Sequence, residues 1–193
     1  MRARATKTSS AEEARLLETR EVLPGRQLTT WSAPRIARAV QAGQFVHVLA
    51  PRVAGLLLPA VPVAGFDRVA GTVGLLLSSA MPLTTQLAHL RPGESAELEG
   101  PLGRGFAIDA RSRFLLLVAD SESFGRTRAV VDEAVAGGRQ VTVLLGARSV
   151  AEVYPSSLLP EQAEYVVATA DGSLGHRGSV AELVPEYEAW ADQ

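Results

Sequence analysis

The sequence predicts a small antiparallel β-barrel followed by a short parallel α/β sheet. Three observations carry this reading. Up to about residue 100, short apolar strands alternate with Pro- and Gly-containing turns, as in a closed all-β unit. From Phe114 onward the period changes: the continuous apolar run Phe114-Leu115-Leu116-Leu117-Val118-Ala119 is followed by a helical segment and two further apolar runs, 141–145 and 165–170. Between the halves lies the glycine-rich hinge Gly100-Pro101-Leu102-Gly103-Arg104-Gly105-Phe106. The division expected is a disordered tail over 1–12, a barrel over 13–108 and an α/β unit over 109–193.

Residues 15–22 and 26–33 read as strands around the turn Leu23-Pro24-Gly25. Pro34 opens a short helical turn through Val40. The strand 43–49 places Phe45, His47 and Leu49 on one face. The apolar stretch 53–63 contains Pro59 and Pro62, which confines it to an edge or irregular strand. Strands over 68–78 and 95–99 and a short helix over 82–90 complete the barrel. In the second half, 114–119 and 141–145 read as strands buried on both faces, joined by a helix over 127–136 that stops at Gly137-Gly138. Short helices are expected over 150–154 and 180–190. Strand–helix–strand alternation implies parallel pairing with right-handed crossovers.

The net charge of −2, without cationic blocks, suggests neither a nucleic-acid nor an anionic-membrane partner. The chain of 193 residues has no cysteine, which excludes disulfides, thiolate zinc sites and a cysteine-ligated iron–sulfur cluster within it. The apolar stretch 53–66 is too short to span a bilayer and 1–20 has no signal-peptide character, so a cytoplasmic location is expected.

Four segments taken together resemble the ferredoxin-reductase type of flavoprotein, and in detail the family of dihydroorotate dehydrogenase electron-transfer subunits of pyrimidine biosynthesis. They are Ala42-Gly43-Gln44-Phe45-Val46-His47-Val48, the Gly100 to Phe106 hinge, Val143-Leu144-Leu145-Gly146-Ala147-Arg148-Ser149, and Asp171-Gly172-Ser173-Leu174-Gly175-His176-Arg177-Gly178. The resemblance implies an FAD-type barrel, an NAD-type sheet domain and a catalytic dehydrogenase subunit as partner. By the same resemblance FAD would be met at Pro59, Ala60, Val61 and Thr84, and Gly103, Gly125 and Arg148 would belong to the cofactor-binding set, Arg148 at the adenosine end of NAD.

At these places the sequence departs from the family. Where the family has Arg-Pro-x-Ser, the chain has Leu58-Pro59-Ala60-Val61, without the guanidinium that holds a diphosphate. Where a Gly-x-Gly-Thr helix start receives the diphosphate, it has Met81-Pro82-Leu83-Thr84, and Pro82 lacks an N–H. The glycine-rich loop after the first sheet strand is replaced by Asp120-Ser121-Glu122-Ser123-Phe124-Gly125, which adds negative charge where a pyrophosphate would lie. Ser121 or Ser123 is expected to cap the following helix. The family's C-terminal four-cysteine [2Fe-2S] segment has no counterpart.

No catalytic or metal-ligating residue stands out. His47 reads as a packed or partner-facing histidine, and His176-Arg177 as a solvated loop or an anion contact. Val184, Tyr187 and Trp190 read as a docking face or as core. Two functions remain: an electron-transfer flavoprotein subunit using FAD and NAD, or a partner-binding relative that kept the fold and lost its cofactors. A third, weaker one is a small anion held by Arg104, Arg126 or Arg148. The discriminating feature is whether Leu58, Val61, Met81 and Phe124 fill the cleft between barrel and sheet.

Overall fold

The computed structural model describes residues 10–49, 60–78, 87 and 89–193. The tail to residue 9, the segment 50–59 with Leu58 and Pro59, and Met81-Pro82-Leu83-Thr84 lie outside the described residues.

Six strands close the barrel in the order β1-β2-β5-β4-β3-β6, every neighbouring pair antiparallel. They are β1 (Ser10–Leu23), β2 (Arg26–Ser32), β3 (Phe45–Leu49), β4 (Val61–Asp67), β5 (Thr72–Ser78) and β6 (Ser95–Leu102). Alternate side chains point inward, so Leu16, Trp31, Val46, Val73, Leu75 and Leu98 form one apolar core. The polar atoms within it are paired: the Trp31 indole N–H donates to Thr29 Oγ1 at 2.8 Å, and that hydroxyl donates to the Leu75 carbonyl at 3.1 Å.

Strand β1 starts at Ser10, ahead of the expected Arg15, because residues 10–15 pair with β6. Its Glu12 is buried, and its carboxylate accepts the N–H groups of Arg35 at 3.0 Å and Ile36 at 2.9 Å. Those N–H groups open α1 (Pro34–Ala39), whose N-cap Ala33 has no side-chain acceptor, so Glu12 caps the helix from a neighbouring strand. The expected strand 68–78 begins only at Thr72, since Asp67 Oδ1 accepts from Val69 N and Ala70 N and holds a turn there.

The second half is a parallel sheet in the order β10-β9-β8-β7, with β7 (Phe114–Asp120), β8 (Gln140–Ala147), β9 (Glu164–Thr169) and β10 (His176–Arg177). The helix α2 (Phe124–Ala136) links β7 to β8 and begins one turn before the expected residue 127. Strand β8 is buried from Val141 to Leu145, as its apolar run predicts. Strand β7 is not buried on both faces: it is the outer strand, with Val118 48% and Phe114 37% exposed. The expected helix over 180–190 is a 3₁₀ turn (Val180–Glu182) followed by α3 (Val184–Tyr187), since Pro185 interrupts the hydrogen-bond ladder. Residues 150–154 likewise give only a 3₁₀ turn, Val150–Glu152. No helix among the described residues is long and apolar enough to cross a membrane.

Asp192 fixes the start of β7: its carboxylate accepts from Arg113 N at 2.8 Å and Phe114 N at 3.2 Å, and its own N–H donates to the Phe114 carbonyl at 3.0 Å. Asp192→Ala is expected to cost about 1–2 kcal/mol, the loss of two bonds to a charged acceptor at a solvated edge. Urea unfolding measures this, and an unchanged midpoint would show the contact to be dispensable.

Candidate functional site: the cleft at the ends of the parallel strands

The C-terminal ends of β7, β8 and β9 open on a cleft of about 600 Å³ lined by Asp120, Glu122, Gly146, Arg148, Glu152 and Gly178. Open α/β sheets bind their ligands at such strand ends. Its chemistry is set by three carboxylates, each already engaged.

Asp120 ends β7, and its Oδ1 accepts from Ser123 N and from Ser123 Oγ, both at 2.7 Å. The Ser123 hydroxyl, then its N–H, holds the Asp120 carboxyl below the usual carboxylate range. The entry to α2 is therefore served by the chain's own anion. Of the two expected caps, Ser123 occupies the N-cap position of α2 but makes no side-chain bond to the helix, and Ser121 Oγ donates to the Glu152 carbonyl at 2.9 Å.

Glu122 reaches across the domain boundary and forms an ion pair with Arg26 on the barrel hairpin. Burial works against the charge on Arg26, but the hydrogen bond to Glu122 and the nearby Tyr154, Glu122 and Glu152 outweigh it and raise its pKa. Arg148 pairs in the same way: its Nε donates to Glu152 Oε1 at 2.7 Å and its N–H to Glu152 Oε2 at 3.2 Å. The Arg148 hydrogen bonds hold Glu152 below the usual carboxylate range.

Of the other sequence candidates, Gly125 sits at the start of α2, where a Cβ would come within 3.2 Å of Leu76; the glycine lets the helix lie directly on the barrel. Gly103 has φ +75°, and a Cβ there would meet the Phe45 ring at 2.6 Å. Its carbonyl accepts from Gln44 Nε2 at 2.9 Å, so it holds the hinge and does not line the cleft. Ala60 is exposed and Val61 packs into the barrel core. Arg148 alone of the described candidates borders the cleft. His176 Nε2 on β10 lies 3.0 Å from Glu182 Oε2 on the 3₁₀ turn that follows, and His47 packs edge-on against Phe45 at 5.7 Å.

Phe124 closes the space between the domains. It is 1% exposed and stacks on Tyr154 at 4.2 Å, and Leu28 and Leu76 of the barrel pack on the same cluster. Arg128 joins the domains further along α2, donating to the Ala64 carbonyl at 2.6 Å and the Leu158 carbonyl at 2.7 Å. Sequence reasoning missed Arg26, Arg128, Glu152 and Tyr154; the four-residue spacing of Arg148 and Glu152 was the only signal for any of them.

A dinucleotide diphosphate does not fit this arrangement. Asp120, Glu122 and Glu152 would face its oxygens, and Arg148, the one guanidinium among the cleft's described lining residues, already holds Glu152. The barrel segments expected to meet FAD are described only at Ala60 and Val61.

A closed antiparallel barrel joined to a parallel sheet is the ferredoxin-reductase architecture. A solved ferredoxin reductase of carbazole 1,9a-dioxygenase superposes with a TM-score of 0.80 at 17% identity, over 94% of this chain and 58% of that one. An NADH-dependent reduced ferredoxin–NADP oxidoreductase superposes with 0.77 at 20%, over 89% and 62%. In sequence, the dihydroorotate dehydrogenase B (NAD(+)) electron transfer subunit of Desulforamulus reducens is 32% identical over 184 residues, 94% of this chain and 70% of that protein. Its counterpart from Geobacillus sp. is 33% identical over 147 residues, 75% and 57%. No family model matches the chain. The chain belongs to the family of dihydroorotate dehydrogenase B electron transfer subunits, within the electron-transfer oxidoreductases, and spans 57–70% of the length of these two relatives.

Proposed function

We propose that this chain works as an electron-transfer-family subunit docked on a dihydroorotate dehydrogenase catalytic subunit, and that its sheet cleft does not accept NADH in the family's manner. The observation that carries the second half is the Asp120 carboxylate held by Ser123 at the entry to α2, which fixes a negative charge where a helix start would otherwise draw a diphosphate. The Arg148–Glu152 pair supports it, because it withdraws the cleft's lining guanidinium from a ligand anion. What the chain's own residues do is hold barrel and sheet as one body through Phe124, Arg128 and Arg26. FAD, supplied by the barrel side if held, would provide the redox chemistry. A soluble, cytoplasmic subunit is consistent with this role.

The second reading, an NADH-linked flavin reductase, is favoured by the room in the cleft, about 600 Å³ with Gly146 and Gly178 on its walls. One experiment separates the two: purified protein is incubated with excess FAD, desalted and titrated with NADH, following the flavin bands and NADH fluorescence. Unbleached flavin, or a colourless protein, with no saturable NADH fluorescence change is the expected result. Flavin bleached by NADH, or saturable NADH binding, overturns the proposal in favour of the reductase.

A further inference from the structure

A recess of about 410 Å³ lies where the hinge meets both domains. Its walls are Gln41 and Arg68 of the barrel, Arg104 and Phe106 of the hinge, and Glu133 and Arg139 of the sheet domain. Arg139 immediately precedes β8, so the recess lies toward the N-terminal ends of the parallel strands. The acidic cleft is at their other ends, roughly 25 Å away along the eight residues of β8. The two share no described lining residue.

Charge in the recess is unbalanced: among its described lining residues, three guanidinium groups stand against one carboxylate, Glu133. Arg68 is engaged, donating to the Val40 carbonyl at 3.1 Å and to Glu133 Oε1 at 3.4 Å, with its guanidinium 4.4 Å from the centre of the Phe66 ring. Arg139 is anchored by Nε alone, which donates to the Ser112 carbonyl at 3.2 Å; its terminal nitrogens have no acceptor among the described residues. Arg104 is exposed and forms no ion pair or hydrogen bond among them. Asp109, beside the lining in sequence, already pairs with Arg111 and adds no free charge. The recess also offers a ring. Phe106 is 56% exposed, and one side of it rests on Gly43, where a Cβ would come within 2.3 Å of Cδ2. Ala107 and Ile108 continue its apolar surface.

We propose that this recess binds a small aromatic phosphate monoester, its ring against Phe106 and its phosphate on Arg104 and Arg139. The double charge follows from the balance: Glu133 neutralises Arg68, and two guanidinium groups remain, each a fork that matches phosphate oxygens. The ring follows from Phe106, an exposed aromatic face held beside those cations. The small size follows from the volume, which lies in the ~300–1,000 Å³ range of small-molecule pockets. This site is independent of the nucleotide reading, since it stands whether or not the strand-end cleft takes NADH.

Phenyl phosphate, inorganic phosphate and phenol are titrated into the full chain near neutral pH while backbone amide chemical shifts are followed. Phenyl phosphate is expected to shift the Arg104, Phe106 and Arg139 amides saturably, with Kd on the order of 1 mM. Inorganic phosphate, lacking the ring, binds about tenfold more weakly, and phenol leaves these amides unmoved. Arg104→Gln weakens phenyl phosphate about tenfold, the loss of one charged fork. Phe106→Ala weakens phenyl phosphate about fivefold and leaves inorganic phosphate unchanged. Arg126→Gln removes an exposed arginine of α2 outside the recess and leaves binding as it was, which separates a site from the effect of net charge. The substituted side chains are all exposed, and an unchanged amide pattern away from the recess confirms that each variant folds. The proposal is overturned by no saturable shift at tens of millimolar phenyl phosphate, by inorganic phosphate or phenol binding as tightly, by equal losses in Arg104→Gln and Arg126→Gln, or by undiminished binding in Phe106→Ala.

Discussion

Phe124→Ala is expected to lower stability by about 3–5 kcal/mol, the range for removing a fully buried aromatic side chain. The ring is 1% exposed and stacks on Tyr154 with an interplanar angle of 6°. It belongs to the core that contains Leu115, Val131, Val143 and Leu145 of the sheet domain, on which Val22, Leu23, Leu28 and Leu76 of the barrel also pack. The substitution therefore opens a cavity where the two domains meet, and neither domain can collapse into it without moving the other. With about 2–4 °C per kcal/mol for a chain of this size, the melting temperature falls by roughly 10 °C. Phe124→Leu refills part of the volume without the stack and is expected to recover about half of the loss. A change below about 1 kcal/mol in Phe124→Ala would show that the boundary is not packed as described.

The architecture was legible because it is written in periodicity. The strand expected over 68–78 forms from Thr72 to Ser78, and the continuous apolar run in 141–145 forms the buried strand expected of it. The turn glycines and the hinge were legible for a similar reason: Gly103 meets a local steric demand that any reader of the sequence can anticipate. The site was legible only by subtraction. The missing glycines after β7 announced that a phosphate-binding loop had changed, but not what replaced it. The replacement rests on contacts between residues far apart in sequence, Arg26 with Glu122 and Arg128 with Ala64, and no local pattern encodes such pairs. Glu12 shows the same limit. In the sequence it is one more charged residue of a polar N-terminus, and only the neighbouring strand geometry turns it into the cap of α1. The burial of β7 was over-read for the opposite reason: its run predicts two covered faces, but its place at the outer edge of the sheet is set by topology.

Arg128→Ala is expected to cost about 2–4 kcal/mol and to loosen the domains from one another. The guanidinium donates to the Ala64 carbonyl on β4 and to the Leu158 carbonyl in the sheet domain, two charged bonds worth about 1.5–3 kcal/mol each before compensation by water. It also lies 3.5 Å from Asp132, one helical turn ahead. Burial pushes the Asp132 carboxyl above its ordinary pKa, and the Arg128 charge opposes that push. Without Arg128 the Asp132 pKa rises further in the folded state, while its unfolded value is unchanged. A carboxyl with a raised folded pKa binds more protons folded than unfolded, so its penalty is greatest above the folded pKa and disappears as pH falls below the unfolded one. The deficit of Arg128→Ala relative to wild type should therefore be smaller near pH 5 than near pH 7. Arg128→Lys keeps a charge beside Asp132 but cannot span both carbonyls, so it should abolish the pH dependence of the deficit while recovering only part of the stability. Denaturant unfolding of the three proteins at both pH values tests this. A pH-independent deficit in Arg128→Ala would confine the residue's role to the two carbonyls, and a full recovery in Arg128→Lys would remove the case for a forked clamp between the domains.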